Sequence, residues 1–242
     1  MLLLVGIVFL ALVTGTAMGF GSMVITIVLG SHFFDIPFLL GAMVPANLCV
    51  SIYVLVRHRQ HVQWRFLAVS VLPAMLVGGV AGFALFAFQD SKGLQLIFGV
   101  IVLILASMEL WRMRSDVVQQ PLPRWLSLLT LTGAGVIHGL FAAGGPLAVY
   151  AISRQVRVKE EFRATLCALW TVLNFALLVV YIPTGIVTKE TGIASVVLLV
   201  SVLGGIVVGE WVHTILKGKW FRGSVFVLLA GGALALIART AF

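Results

Sequence analysis

The chain has 242 residues, of which 61% are hydrophobic and 10% charged, with a mean hydropathy of +1.16. Soluble domains carry about 25% charged residues, so this composition excludes a soluble globular protein and indicates an integral membrane protein with the lipid bilayer as partner. The net charge of +8 does not indicate nucleic-acid binding, because the basic residues lie in short gaps between apolar runs, as membrane topology requires.

The first half of the chain begins with a broken apolar run. Residues 2–29 are apolar, but the segment 15–22 (Gly-Thr-Ala-Met-Gly-Phe-Gly-Ser) interrupts them with three glycines. Glycine destabilises a helix interior, so this run is not one continuous helix. Apolar runs of about 20 residues, the length that spans a bilayer, follow at 38–56, 66–88 and 94–111. We predict an N-terminal transmembrane repeat, residues 1–115, followed by a polar cytoplasmic linker, residues 116–124.

The second half repeats the same order of segments. Its broken run, residues 125–150, contains the segment 139–146 (Gly-Leu-Phe-Ala-Ala-Gly-Gly-Pro), in which the proline also removes a backbone donor. Three apolar runs follow at 162–182, 191–214 and 221–237. Because the two halves match segment by segment, residues 125–242 are predicted to form a C-terminal transmembrane repeat.

The basic loops predict which side each loop faces, since short loops rich in Lys and Arg stay in the cytoplasm. Such loops lie at 57–65, 112–124, 154–163 and 217–222, whereas the loop near Asp90 and Lys92 is nearly neutral and is predicted to be outside. Both ends of the second broken run therefore face the cytoplasm. Each arm is about 20 Å long, against a hydrocarbon core of roughly 30 Å, so the run is predicted to be a re-entrant hairpin.

The first broken run is predicted to be the counterpart of this hairpin, entering from outside. Each repeat then has an odd number of crossings, so the repeats are inverted relative to each other. The predicted fold class is an all-α integral membrane protein with two inverted repeats, each a re-entrant broken-helix hairpin plus three transmembrane helices. The alternative is eight simple spans, which would place either the loop 154–163 or the loop 57–65 outside.

The two breaks are the first candidates for a binding site. Broken backbone at membrane depth is tolerated only where it is buried in protein or lines a cavity. The helices that start after the breaks would direct free N–H groups and a positive dipole end at the midplane, which suits an anion. Ser22 fits an N-cap, and Gly145 and Pro146 fit an N-cap and first helical position. The alternative is that the glycines only allow close helix packing. The candidate residues are Gly19, Gly21, Ser22, Gly144, Gly145 and Pro146.

Polar side chains within the next span of each repeat are the second candidates. Asn47 and Ser51 lie four residues apart, as do Trp170 and Asn174, so each pair shares a helix face. Their amide, hydroxyl and indole donors suit an oxyanion; the alternative is hydrogen bonding between helices. Every Lys and Arg is predicted to lie near a span end or in a loop, so the site would hold an anion without a buried cation.

His138 directly precedes the second break. At this depth it is a candidate to carry a proton or, when charged, to bind the anion; the alternative is a neutral residue that caps broken backbone. Glu109 and Glu210 are expected to form interfacial pairs, Glu109 with Arg112 three residues on and Glu210 near His213.

The glycine-rich segments 19–22 (Gly-Phe-Gly-Ser) and 143–146 (Ala-Gly-Gly-Pro), each followed by a span and a basic or polar turn, resemble the TauE/SafE sulfite-exporter family. The likeness covers nearly the whole chain, in both repeats. The usual glycine triplet of the family is incomplete here, since Ser22 follows Gly21 and Ala143 opens the second segment. The resemblance implies a bacterial cytoplasmic-membrane protein that moves sulfur-containing anions.

Together, these patterns predict a multi-pass exporter of a small sulfur-containing anion, sulfite or an organosulfonate, through a midplane site between the repeats. The inside-negative membrane potential would drive such export. The alternative is a proton-coupled importer of a small organic or inorganic anion. The sequence has no nucleophile–base pair and no metal-ligand spacing, so we expect no enzyme activity, no cofactor and no metal site. A homo-oligomer is left open.

Overall fold

The computed structural model describes residues 1–86, 91–114, 121–215 and 219–241. The regular secondary structure of these residues consists of helices, without strands. Most of the predicted linker, together with Asp90 and Lys217, lies outside the described residues. The helices are α1 (Leu2–Met18), α2 (Ser22–Gly30), α3 (Ile36–His58), α4 (Trp64–Phe86), α5 (Ser91–Arg114), α6 (Arg124–Phe141), α7 (Gly145–Ile152), α8 (Lys159–Tyr181), α9 (Lys189–Ile215) and α10 (Lys219–Ala241).

Several of these helices have the length and composition of membrane spans. In the described part of the chain, five are long and apolar enough to cross a bilayer: Ile36–His61, Trp64–Phe86, Lys92–Met113, Lys159–Tyr181 and Lys189–Ile215. Shorter apolar helical segments are Leu2–Met18 and Val225–Thr240. The protein is therefore an all-α membrane protein.

Both predicted broken runs are interrupted at their glycine-rich segments. Between α1 and α2, Gly19 and Gly21 have φ angles of +80° and +101°, a left-handed conformation that side chains disfavour. Between α6 and α7, Ala142 adopts φ +51° and its N–H donates to the carbonyl of His138. Each short helix then packs against the helix before it.

The starts of the two short helices differ from the prediction by one residue. The N-caps are Gly21 and Gly144 rather than Ser22 and Gly145, and Pro146 is the second residue of its helix. Gly21 takes the capping position because that position has a positive φ angle here, which glycine adopts without strain. The Ser22 hydroxyl is thereby released for another contact.

Two helix pairs pack parallel through glycines, and each pair joins one half of the chain to the other. Along α1 and α9, Ser201 Oγ donates to the Val5 carbonyl over 2.9 Å, and His213 Nδ1 lies 2.6 Å from the Ala17 carbonyl. Along α4 and α6, a Cβ on any of four glycines would overlap the partner helix backbone. These four are Gly78, Gly82, Gly135 and Gly139. Such close approach stabilises helix pairs in lipid.

Two other pairs join corresponding helices of the halves in antiparallel directions. The Gln63 N–H, just after α3, donates to Thr165 Oγ1 near the start of α8 over 3.0 Å. At the opposite end of α3, Gly41 packs against Ile186, beyond the end of α8. Similarly, Thr240 near the end of α10 contacts Gln95 near the start of α5.

Candidate functional site

A small cavity of about 30 Å³ lies between the two breaks. Nine of the eleven predicted site residues line it: Gly19, Gly21, Ser22, Asn47, Ser51, His138, Gly145, Trp170 and Asn174. The breaks themselves touch here, since a Cβ on Gly145 would stand 3.4 Å from the Cβ of Phe20. The fold thus gathers residues from α1, α2, α3, α6, α7 and α8 around one point.

Two predicted residues lie elsewhere. Gly144 packs against the backbone of Ala134 and the side chain of His138. Pro146 lines a second cavity on the other side of α7. The sequence could not separate Pro146 from Gly145, because the rotation of a short helix about its axis is set by packing with distant segments.

The start of α2 contributes backbone donors to the first cavity. Ser22, Met23 and Val24 line it, and the first intrahelical bond runs from the Ile25 N–H to the Gly21 carbonyl, 2.9 Å. The N–H groups of the three lining residues therefore have no acceptor within their helix. Gly21 has no side chain to cap them, so this end carries uncompensated positive dipole character.

The start of α7 contributes fewer backbone donors to the first cavity. Its first intrahelical bond runs from the Ala148 N–H to the Gly144 carbonyl, 3.1 Å. Of its initial residues, Gly145 lines the cavity, Pro146 has no N–H, and Leu147 lines the second cavity. The two helix starts therefore meet, but they do not offer equal numbers of donors.

Ser22, Asn47 and Ser51 form a hydrogen-bonded group on one wall. The Ser22 hydroxyl donates to Asn47 Oδ1 over 2.8 Å, and the Ser51 hydroxyl donates to the Asn47 carbonyl over 2.9 Å. The first bond joins α2 to α3. Because its oxygen already accepts from Ser22, Asn47 keeps its amide N–H donors for other partners.

The opposite wall contains Trp170 and His138, whose rings stack with centroids 5.5 Å apart and planes 21° apart. Trp170 Nε1 donates to the Gly19 carbonyl over 2.8 Å. The indole N–H, predicted as a donor to an anion, is therefore already used to hold the end of α1. The partners are 151 residues apart in the sequence, so no local pattern predicts this bond.

His138 and Asn174 are buried in the cavity wall, with 3% and 1% of their surfaces exposed. Within the described part of the chain, neither ring nitrogen of His138 and neither amide atom of Asn174 has a hydrogen-bond partner. Leaving a buried polar group unpaired costs about 1–3 kcal/mol, and nearly all such groups in proteins are paired with protein or water. The cavity wall therefore includes two buried side chains whose polar atoms have no partner among the described residues.

Arg163, in the second turn of α8, is a site feature that the sequence did not reveal. It is only 3% exposed, and the backbone of Gly19 packs against it. Its Nη2 and Nη1 atoms lie 2.5 and 3.3 Å from the carboxylate of Glu210. The prediction of a site without a buried cation nearby was wrong: Arg163 does lie near the end of a span, but a partner 47 residues away allows its burial beside the break.

Of the two pairs predicted for Glu109 and Glu210, one forms and the other does not. Glu109 pairs with Arg112 at 2.9 Å, as predicted. Glu210 pairs with Arg163 rather than with His213, whose ring contacts the Ala17 carbonyl. The prediction for Glu210 was wrong because sequence proximity favours His213, while the packing of α8 on α9 brings a stronger, doubly bonded cation closer.

Long apolar helices, two interrupted helical segments and a polar cavity where they meet define a multi-pass membrane transporter. The sequence model of the family "Sulfite exporter TauE/SafE" matches residues 3–236, and the chain belongs to this family. It is also similar to the "Probable inner membrane transporter protein TsaS" of Comamonas testosteroni, with 24% identity over 180 residues, 73% of each chain. No solved structure matches the chain significantly. The protein is thus an inner-membrane transporter and not an enzyme.

Proposed function

We propose that the protein exports a small sulfur-containing anion, sulfite or an organosulfonate, through the cavity between the two breaks. The observation that carries the proposal is the convergence of α2 amides with the buried side chains of His138 and Asn174, whose polar atoms have no partner among the described residues. The donors that line the cavity are neutral, and the buried Arg163 behind Gly19 is paired with Glu210. Neutral donors and a helix dipole stabilise an anion without holding it as tightly as an unpaired buried cation would. Membership in the sulfite-exporter family supports the substrate class.

The packing of the helices supports two inverted repeats. In the alternative with eight simple spans, corresponding helices of the two halves run in the same direction. The antiparallel pairing of α3 with α8 and of α5 with α10 favours inversion instead. Inverted repeats around a midplane site are the usual basis of alternating access. On this proposal, α1 with α2 and α6 with α7 are re-entrant hairpins from opposite faces.

The size of the cavity indicates a narrow site. A volume of about 30 Å³ accommodates roughly two or three water-sized groups. An anion with several oxygens therefore requires the breaks to separate before it enters or leaves. The membrane potential supplies about 2.3 kcal/mol per charge per 100 mV for outward movement, so export requires no coupled ion.

Flux measurements in proteoliposomes test this function. We expect sulfite or methanesulfonate flux that increases when the anion-containing side is made negative, with little flux of acetate. The control is Asn174→Leu protein reconstituted at equal density, which should be strongly impaired. Absence of sulfite and sulfonate flux at every imposed potential, with folded wild-type protein, would remove the proposal.

A second candidate is proton-coupled import, favoured by the buried ring of His138 in the cavity wall. In this mechanism a pH gradient drives anion uptake and His138→Ala abolishes the coupling. If flux responds equally to voltage with and without a pH gradient, and His138→Ala leaves that response unchanged, import through His138 is excluded.

A further inference from the structure

The buried Arg163 lies directly behind the wall of the first cavity. It precedes Cys167, which lines the cavity, by four residues, so the two side chains share a face of α8. A Cβ on Gly19, another lining residue, would stand 3.4 Å from both Cα and Cγ of Arg163. Arg163 therefore stands between the cavity and the start of α8.

The start of α8 lies beside the end of α3. The Gln63 N–H donates to Thr165 Oγ1 over 3.0 Å, and Gln63 Nε2 donates to Glu161 Oε2 over 2.8 Å. These bonds bring the basic loops 57–65 and 154–163 to the same end of the molecule. Because short basic loops stay in the cytoplasm, Arg163 is on the cytoplasmic side of the cavity.

The guanidinium of Arg163 keeps one N–H free beside its ion pair. Its Nη2 and Nη1 atoms contact the carboxylate of Glu210 at 2.5 and 3.3 Å. Its Nε atom is buried and has no hydrogen-bond partner among the described residues. Since arginine presents five N–H groups in a fixed fork, an oxyanion can bind at Nε before Glu210 leaves.

Glu210 has a second partner close by. His58 Nε2 lies 4.0 Å from Glu210 Oε1, and this nitrogen is also buried without a hydrogen-bond partner in the described part of the chain. A hydrogen bond is about 3 Å long, so a shift of about 1 Å would transfer the carboxylate from Arg163 to His58.

The corresponding position at the other end of the cavity is apolar. α3 and α8 each have 23 residues, and aligning them from start to end places Asn47 with Trp170 and Leu40 with Arg163. Asn47 and Trp170 both line the cavity, which supports this alignment. In two inverted repeats, a buried leucine thus occupies the outer position, and a buried ion pair occupies the inner one.

We propose that Arg163 receives the transported anion on the cytoplasmic side, exchanging the carboxylate of Glu210 for the sulfite or sulfonate group and so opening the inner end of the cavity. Both groups present two oxygens to the guanidinium fork, so the buried charge stays paired throughout the exchange, as its desolvation requires. Glu210 returns to Arg163 once the anion has moved to the neutral donors. This inference rests on the proposed function and adds that the cytoplasmic entrance rejects cations.

Chemical modification of Cys167 tests the entrance without measuring transport. Cys49→Ser protein in inside-out vesicles is treated with two membrane-impermeant methanethiosulfonates, one ending in a sulfonate and the other in a trimethylammonium. Relative to their rates with a free thiol, we expect the sulfonate reagent to react at least about tenfold faster, because only that reagent can pair with Arg163. Equal rates, or no modification by either reagent, would overturn the proposal.

Three variants assign this preference to Arg163. Arg163→Met should lose the preference, and so should the double variant Arg163→Met with Glu210→Leu, which leaves neither charge buried alone and covers the case in which the single variant misfolds. Arg65→Gln removes an exposed arginine at the same end of the molecule and should react like wild type. A sulfonate preference that survives the loss of Arg163 would overturn the assignment.

Sulfite flux measured from each side separates this inference from the proposed function. In Arg163→Lys, which keeps the charge but not the fork, the half-saturating sulfite concentration should rise about tenfold at the cytoplasmic side only. Leu40→Met, at the corresponding outer position, should leave that value unchanged. A rise at both sides, or none, would contradict the role of Arg163. Absence of flux in wild type would instead contradict the proposed function, while modification of Cys167 still tests Arg163.

Discussion

Asn174 and His138 are buried at the point where the two breaks meet, and the described residues offer their polar atoms no partner. Such groups destabilise a folded protein unless something pairs with them. On the proposed function, the transported anion is a part-time partner that would explain their retention in the cavity wall. Stability and transport should therefore respond in opposite directions when these polar atoms are removed.

Asn174→Leu tests this opposition at a single residue. Leucine has the same number of side-chain heavy atoms and the same branching but no unpaired polar atoms, so we expect Tm to stay or rise by about 2–4 °C. Sulfite flux should fall about tenfold or more, because hydrogen bonds to charged groups contribute about 1.5–3 kcal/mol. The control is Thr171→Val on the same helix, whose hydroxyl donates to the Cys167 carbonyl. A lower Tm with normal flux would make Asn174 a packing residue.

At the scale of elements, the starts and ends of short helices hold the site together. The end of α1 is held by Trp170 and His213, and it rests on the buried Arg163. Arg163 in turn joins α8 to Glu210 of α9. At the opposite side of the cavity, α7 begins in contact with Phe20. Substitutions at these helix ends should change the contacts between helices rather than the formation of each helix.

Gly145→Leu should block the meeting of the two breaks. The leucine side chain would occupy the space next to Phe20, where even a Cβ comes within 3.4 Å. We expect normal membrane insertion but loss of sulfite flux. Gly6→Leu is the matched control, because a Cβ at that glycine of α1 has no atom within 4 Å. Retained flux in Gly145→Leu would show that anions do not pass between the breaks.

Removing Glu210 should destabilise the folded protein more than removing its partner Arg163. Glu210→Leu leaves an always-charged arginine buried and is expected to cost about 3–5 kcal/mol. Arg163→Met should cost less, since the remaining carboxylate side chain is 25% exposed and can be hydrated. The double variant, Glu210→Leu with Arg163→Met, should recover much of the stability that Glu210→Leu loses. Thermal unfolding of all three variants, with the exposed Glu160→Leu as control, checks this prediction; additive losses of stability would contradict it.

At the scale of the whole molecule, the direction of each helix pair distinguishes the two topologies. Antiparallel contacts between corresponding helices of the halves accompany parallel contacts between α1 and α9 and between α4 and α6. An arrangement related by a twofold axis in the membrane plane accounts for all four pairings. It requires both ends of the segment 125–150 to lie on one side.

Single-cysteine labelling checks this topology in a background without Cys49 and Cys167. We expect Arg124→Cys and Arg157→Cys to react only with a reagent inside the cell. Thr184→Cys, between α8 and α9, should react from outside. Labelling of positions 124 and 157 from opposite faces would restore the eight-span alternative and remove the re-entrant hairpin.

The sequence predicts the local features of this molecule better than the distant ones. The breaks follow from the glycines and the helices from apolar length, because both depend on neighbouring residues. The bond from Trp170 to Gly19 and the Arg163–Glu210 pair join residues 151 and 47 positions apart, so no sequence pattern indicated them. The orientation of Pro146 away from the first cavity likewise depends on how α7 packs.

The glycine contacts between α1 and α9 and between α4 and α6 limit how the two halves of the chain can move. Each of these contacts joins the first helix of one half to a long helix of the other half. Backbone in direct contact cannot slide without creating voids or collisions. On the proposed function, we therefore expect the rigid bodies of a transport cycle to be two hybrid blocks, each assembled from parts of both halves of the chain, rather than the first and second halves themselves.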